Sequence, residues 1–507
     1  MIAQKHNNMQ RSDPAAGLLV LNDLPYACDI GQALDLMREQ HVTQLWVCPP
    51  LHISRDAEAI ARARASGWQI HISPPREGEL AAPADNPAAA DDWIIAFRPG
   101  EWTPAGYSIV FPALDPRRIW SAAGDDPQAL QAALAAFARA VGIAYTRTPQ
   151  STGGRLLRAL HSGPHATALE SATSGKAELP PPAQRDNGAE IQDGPIMWRR
   201  PITGDELEAC TEANGPYLLT FDMNAQFLRA TNGLALGFGP TTHLTGAAAE
   251  GYVAAAWRAG MPTAPRLIAP GYYRVWALHG SPTSGPFARL GIPHPLYRAQ
   301  HEARAFAPPG VWVNAPTVRL LLELRVTFAC SEAYTWPTSH RFFDPWYKRL
   351  NQARLDLMRD ESPAGRLALD VVKQVYARTV GDLAYARRDD GDALKRPDWR
   401  HAVIAEARAL HYRAMLRGLD RGYTPVLMTE DTLGWLSSTP DVMGMAARLD
   451  LRVSATAGHY KIKDHVDLRA YPDVAALLCG PATTTGDLQK RLAAIRREKA
   501  VQAEATA

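Results

Sequence analysis

Two adjacent acids, Glu430 and Asp431, interrupt the apolar run TPVLMTEDTLGWL at residues 424–436, as a tight turn between two short strands would. A third carboxylate, Asp222, closes the apolar run PYLLTF within PYLLTFDMNAQF at 216–227. Strand-borne carboxylates far apart in sequence are what a protein needs to hold divalent metals against a nucleoside triphosphate, because such metals take oxygen ligands and bridge phosphate oxygens. Asp222 and Asp431 are the candidate metal ligands, with Glu430 in the same hairpin. That chemistry also needs a basic helix on the triphosphate and cations along a nucleic-acid backbone. The chain offers these in order: Asp222, the basic helix WYKRLNQARLDLMR at 346–359, the Lys373-bearing helix at 364–384, then the acidic hairpin. Taken singly, an acid at a strand end reads as a turn or cap, and a basic amphipathic helix as a solvated face. The ordered set carries the functional reading.

The elements that must position these residues fall into two groups. From 17 to about 150, the runs LLVL, QLWVCPP, WQIHIS, WIIAF and YSIVF predict strands, and helical spacing at 31–39, 54–66 and 127–141 predicts helices. Strands alternating with helices predict an α/β domain over 15–162. Residues 1–14 read as a mobile tail, 78–92 as a loop, and the Gly-, Pro-, Ala- and Ser-rich 163–195 as a linker. QSTGGRLLRALHSG at 150–163 places a glycine pair ahead of a basic helix carrying Arg155 and Arg158. Such a pair lets a backbone approach phosphate, or simply turns the chain into an ordinary helix. In the second half, YYRVWAL at 272–278 predicts a strand, 316–330 a helix running into a strand, and 364–384 and 398–417 helices. The predicted domains are 196–345 and 398–495 as two parts of an α+β body, helices over 346–397 between them, and a fraying tail at 496–507.

Basic and aromatic residues interleave in two places. Lys348, Arg349 and Arg354 lie with Trp346 and Tyr347; Arg387, Arg388, Lys395, Arg396 and Arg400 lie with Tyr385 and Trp399. Such mixtures suit phosphate contacts combined with stacking, or else a solvated loop. The chain of 507 residues is long for one core and suggests two or three domains. The net charge of +2, from 54 basic and 52 acidic residues, excludes a global basic field and leaves only local clusters. Five scattered cysteines without a CxxC pair argue against a zinc site or disulfide framework and fit a reducing cytoplasm. The polar start lacks a signal-peptide core, and no apolar run reaches membrane-spanning length, so no membrane partner is expected.

The order and spacing resemble the palm and fingers of family B DNA polymerases, especially the protein-primed type, over roughly 215–470. The first family motif, DxxSLYP, is matched by DMNAQFL at 222–228, with Asp222 at the metal-binding aspartate and Phe227 at the ring that excludes ribose. The second, KxxxNSxYG, is matched by KQVYARTVG at 373–381, with Lys373 at the triphosphate lysine and Gly381 at the closing glycine. Ala377, Arg378 and Val380 depart from it. The third, YxDTDS, is matched by TEDTLG at 429–434, where Asp431 and Thr432 agree and Leu433 replaces the aspartate that is the principal metal ligand in the family. AGHYKIKD at 457–464 resembles the segment that contacts primer DNA, with Lys461 at its lysine and Lys463 beside it. The resemblance implies nucleotide-binding roles for Lys373, Phe227 and Gly381 and a DNA-binding role for Lys461; the basic clusters add Arg349 and Arg354 as nucleotide-binding candidates and Arg387, Arg388 and Arg396, with Lys463 beside Lys461, as DNA-binding candidates. Family members carry a proofreading exonuclease before the palm; the first strand here, LLVLNDLP, lacks its DxE pair, so the N-terminal α/β domain reads as an exonuclease-derived shell without the chemistry, or as unrelated.

Leucine cannot coordinate a hard cation, so Leu433 argues against ordinary templated synthesis unless Glu430, bent by the turn, supplies the missing oxygen. Three functions follow. One is a DNA-binding replication protein acting on primer-template or DNA ends, cytoplasmic and nucleoid-associated, with a priming or terminal protein as partner; proteins of this kind at the telomeres of linear bacterial replicons offer the analogy. The second is an active DNA nucleotidyltransferase using Mg²⁺ or Mn²⁺ and dNTPs. The third is an unrelated α/β scaffold.

Overall fold

The computed structural model describes residues 2–5, 18–20, 27–39, 42–46, 52–54, 57–72, 93–97, 107–110, 126–146, 148–173, 179–184, 197–200, 202–208, 215–278, 287, 293–296, 307–384, 394–429, 431–480 and 485–506. These divide into two units: Met1–Leu160 with Lys348–Asp382 and Ala386–Leu394, and His161–Tyr347 with Leu383–Tyr385 and Lys395–Ala507.

The first unit is built on short apolar strands: β1 (Ile2–Lys5), β2 (Leu18–Val20), β3 (Ala27–Asp29), β4 (Val42–Trp46), β5 (His52–Ser54), β6 (Gln69–Ile72), β7 (Trp93–Phe97) and β8 (Tyr107–Val110). Six form one sheet in the order β2-β1-β4-β8-β7-β6, and β3 pairs with β5. Among the described residues, β4–β8 is the single parallel contact of the larger sheet, and its other pairings are antiparallel. Residues 2–5, expected in a mobile tail, instead form a strand between β2 and β4. Helix Ile30–Glu39 presents Ile30, Ala33, Leu34 and Met37, the spacing of one helical face, to Leu45, Ile53, Ile60, Trp68 and Ile109.

The helices expected between the two parts of the second body belong here. Helix Pro363–Asp382 packs on helices Pro127–Val141 and Pro149–Ala159. Gly153 makes this contact close: a Cβ built on it would fall 1.8 Å from Thr379 Oγ1. The glycine pair 153–154 therefore lies inside a helix, buried against a neighbour, rather than ahead of one facing phosphate.

The second unit holds β9 (Met197–Arg199), β10 (Tyr217–Met223), β11 (Leu236–Gly237), β12 (Thr242–Thr245), β13 (Gly271–Ala277), β14 (Val311–Asn314), β15 (Phe328–Thr335), β16 (Ser339–His340), β17 (Leu427–Thr429), β18 (Thr432–Ser437) and β19 (Tyr460–Asp467). One antiparallel sheet runs β19-β10-β18-β17-β9 and another β12-β15-β13-β14. Strand alternation sorts β10 into two faces. Leu219, Phe221 and Met223 join Leu433 and Trp435 of β18 against Ala409, Tyr412 and Met415 of helix Pro397–Asp420. Leu218 and Leu436 pack instead with Leu478, Leu488, Leu492 and Ile495 of the C-terminal helices. At roughly 25 cal/mol per Å² of apolar surface removed from water, this two-sided burial is the main force holding β10 in place.

Two expectations fail on local structure. The 163–195 linker contains helices Pro164–Thr173 and Pro181–Gln184, and the C-terminal helix runs Thr485–Thr506 without fraying at 496.

Candidate carboxylate and lysine site

Asp222 is the penultimate residue of β10 and lies between two antiparallel neighbours, opposite Thr432 on β18 and Lys461 on β19. Leu433 stands opposite Phe221 and is fully buried on the apolar face. Position 433 therefore points away from Asp222, and Thr432 is the β18 residue that faces it. This corrects the assignment of 433 to a ligand position: Asp431 sits in the turn rather than on the strand, so its side chain escapes the alternation and reaches the Asp222 side.

The pairing of β10 with β19 shifts by one residue between Thr220 and Phe221: Thr220 stands opposite Asp464, Phe221 opposite Ile462, and Lys463 has no partner across the ladder. An extra residue of this kind bends the strand and re-aims its side chain. It brings Lys461 and Lys463 to one carboxylate. Lys461 Nζ lies 2.6 Å from Asp222 Oδ2, and Lys463 Nζ 3.0 Å from Asp222 Oδ1. Lys463 Nζ also donates to Thr432 Oγ1 at 2.7 Å and lies 3.4 Å from Asp431 Oδ1. The Thr432 hydroxyl stands 3.1 Å from Asp222 Oδ1 and 3.2 Å from Asp431 Oδ1. Beside this cluster, Asp464 accepts from Thr220 Oγ1 at 2.8 Å and pairs with Arg496 Nη1 at 2.7 Å.

The two carboxyls titrate as a pair. Burial alone would raise Asp222, 4% exposed, but hydrogen bonds with Asp431 and Lys461 and the charge of Lys463 outweigh it and hold the carboxyl down to about 2. Asp431 moves the other way, raised to about 6 by burial and by its hydrogen bond and charge interaction with Asp222, with Lys463 in opposition. Burial lowers Lys463, but the charges of Asp431 and Asp222 prevail and its ammonium is held more firmly protonated.

A pair of divalent cations requires several free carboxylate oxygens. Here both oxygens of Asp222 are engaged by ammonium groups, Asp431 shares one of them, and Asp464 is committed to Arg496. No group of three or more His, Cys, Asp or Glu among the described residues has the arrangement of a metal site. The described carboxylates thus do not fit Mg²⁺ or Mn²⁺, because ammonium groups already engage their oxygens.

Of the remaining sequence candidates, Glu430, Arg387 and Arg388 lie outside the described residues. Phe227 is 38% exposed on helix Gln226–Thr231. Lys373, Arg349, Arg354 and Gly381 belong to the first unit. There Lys373 Nζ pairs with Asp370 at 2.8 Å, and Arg349 Nη1 donates to Val141 O at 3.1 Å, closing the end of helix Pro127–Val141. Arg354 is buried and hydrogen-bonds Tyr376, which removes it from the exposed cations expected to meet nucleotide. Gly381 lies within helix Pro363–Asp382, with open space where a Cβ would stand. Arg396 is corrected outright: at 2% exposure it binds Asp398 Oδ1, Ala172 O and Gly237 O at 2.8, 2.9 and 2.7 Å and stacks over Trp399, so it is a structural anchor and cannot reach DNA. The roles of Thr432 and Arg496 went unread in the sequence. Counting side-chain parity outward from the turn would have found Thr432; nothing local marks Arg496.

No helix among the described residues is long and apolar enough to cross a membrane. No family model matches the chain, and no curated protein matches it. Solved structures similar to it include phi29 DNA polymerase complexed with primer-template DNA, at 11% identity and a TM-score of 0.43, covering 74% of this chain and 68% of that one. The ternary complex of the same polymerase with primer-template DNA and incoming nucleotides gives 10% identity and 0.43, over 74% and 69%. Its complex with single-stranded DNA gives 10% and 0.43, over 74% and 68%. Likeness at this level assigns no chemistry.

Proposed function

We propose that this chain is a DNA-binding replication protein with a family B polymerase-like palm, in which lysines have closed the catalytic metal site. One observation carries the reading: the Lys463 ammonium lies between the carboxylates of Asp222 and Asp431 and hydrogen-bonds Thr432. Three features agree with it. The motif order resembles the family, the two motif acids meet with Asp222 on β10 and Asp431 in the turn before β18, and each described carboxylate of the cluster has a protein cation as partner. A site so neutralised retains a surface for a nucleic-acid backbone, through the largely exposed Lys461, while lacking the means to activate a nucleotide.

The test pairs binding with synthesis. Fluorescence anisotropy with primer-template and hairpin-ended DNA is expected to show saturable binding that weakens as salt rises. Incubation with labelled dNTPs and Mg²⁺ or Mn²⁺ is expected to give no incorporation, with Asp222→Asn binding DNA like the parent. Incorporation abolished by Asp222→Asn would make the chain an active nucleotidyltransferase instead. Absence of DNA binding even at low salt would leave only the unrelated scaffold.

A further inference from the structure

On the face of β10 opposite Asp222, Met223 lines a cavity of about 360 Å³, within the size range of small-ligand sites. Its walls are cationic and come from separate elements: Arg229 on helix Gln226–Thr231, Arg413 and Arg417 on helix Pro397–Asp420, and Arg452, His459 and Tyr460 at the entry to β19. The one acid in the lining, Asp450, is shared between Arg417 at 3.8 Å and Arg421 at 3.6 Å. Arg413 is balanced by Glu323 and Glu406. Arg229 and Arg452 have no ion pair or side-chain hydrogen bond among the described residues.

The placement of Arg229 is built in. Gly458 adopts φ +85°, and a Cβ there would lie 2.3 Å from Arg229 Cγ, so the arginine stem crosses the glycine and any side chain would displace it. His459 Nδ1 is held by Ser454 Oγ at 2.7 Å. A concave site with unbalanced guanidinium groups wants an anion that accepts from several directions.

We infer that this cavity binds a phosphate group, supplied by a nucleotide or by a nucleic-acid backbone. The inference is independent of the Asp222 reading, since free phosphate tests it without nucleic acid. Calorimetric titration of the full chain, without metal, uses inorganic phosphate, a deoxynucleoside triphosphate and a short single-stranded DNA in turn. Arg229→Ala/Arg452→Ala is expected to weaken phosphate or triphosphate binding at least about tenfold, about 1.4 kcal/mol. Gly458→Ala, which leaves charge unchanged, is expected to weaken it as well. Arg359→Ala/Lys490→Ala, removing two charges at sites 76% and 83% exposed, is expected to have no effect. Melting curves confirm that each variant is folded. A drop of roughly 1.5–2 in the salt slope of DNA binding in the double variant identifies backbone phosphate as the source; an unchanged slope with lost triphosphate binding identifies the nucleotide. A parent that binds none of the three ligands, or equal loss in the exposed control, overturns the proposal.

Discussion

Lys463 serves three oxygen-bearing side chains with one ammonium, and its removal should expose what it masks. Lys461→Ala/Lys463→Ala leaves Asp222 and Asp431 facing each other with no cation. Mn²⁺ affinity, followed by electron paramagnetic resonance, is expected to rise at least about tenfold over the parent; equal affinity would mean the lysines do not occupy a cation site. The carboxyl pair also sets a pH signature. Asp431, raised to about 6, retains in the folded chain a proton that the unfolded chain releases near pH 3.9. Its contribution to stability is therefore complete below about pH 4 and lost as pH rises through 6. Asp222, held down to about 2, contributes above about pH 4 and loses its contribution as pH falls. Asp431→Asn is thus expected to gain stability relative to the parent between pH 4 and pH 7 in urea titrations, and a difference independent of pH would contradict the coupled pair. The acids were legible in the sequence because apolar runs marked the strands beside them, and the lysines because AGHYKIKD resembles a family segment. Their mutual arrangement was not, since a bulge at Lys463, invisible in residue spacing, decides which side chains share a face.

Helices Pro149–Ala159 and Pro363–Asp382 touch through a residue that pattern reading treats as a breaker. Gly153 has to be small because Thr379 occupies the space of its side chain. Gly153→Val is expected to destabilise by roughly 1–3 kcal/mol through overpacking, with Thr379→Ala restoring part of the loss in thermal denaturation. Helix Pro397–Asp420 likewise depends on a charged residue that composition assigns to the surface. Arg396 ties the helix start to Asp398 and to the carbonyls of Ala172 and Gly237. Arg396→Met strands the buried Asp398 carboxylate and is expected to cost about 3–5 kcal/mol, measured by denaturant titration; a loss below about 1 kcal/mol would remove the anchor role. Long elements such as helices Pro363–Asp382 and Pro397–Asp420 were readable from periodicity, whereas helices Pro164–Thr173 and Ala247–Ala259 and strand β19 were not. Partners were not, because spacing records which face of a helix is apolar without recording what covers it.

At the scale of the chain, two units are woven from alternating stretches of sequence. The first is completed only by Lys348–Asp382 and Ala386–Leu394. A fragment of residues 1–160 is accordingly expected to retain less helix than its sequence predicts, because helix Pro363–Asp382 is missing from the faces of Pro127–Val141 and Pro149–Ala159. Circular dichroism of that fragment, alone and with a 348–394 peptide added, measures the deficit and its recovery. A fragment already fully helical and unresponsive to the peptide would show that these helices are independent. Composition indicated more than one domain but not this division, since the covering helix lies far along the chain from the surfaces it covers. The same discontinuity governs the order of events on the ribosome. A surface built around Gly153 emerges early, yet its cover emerges only when synthesis has passed from Leu160 to Asp382. At about 5–20 residues per second that interval is on the order of 10–40 s, during which the nascent chain displays an unfinished helical face to whatever chaperone meets it.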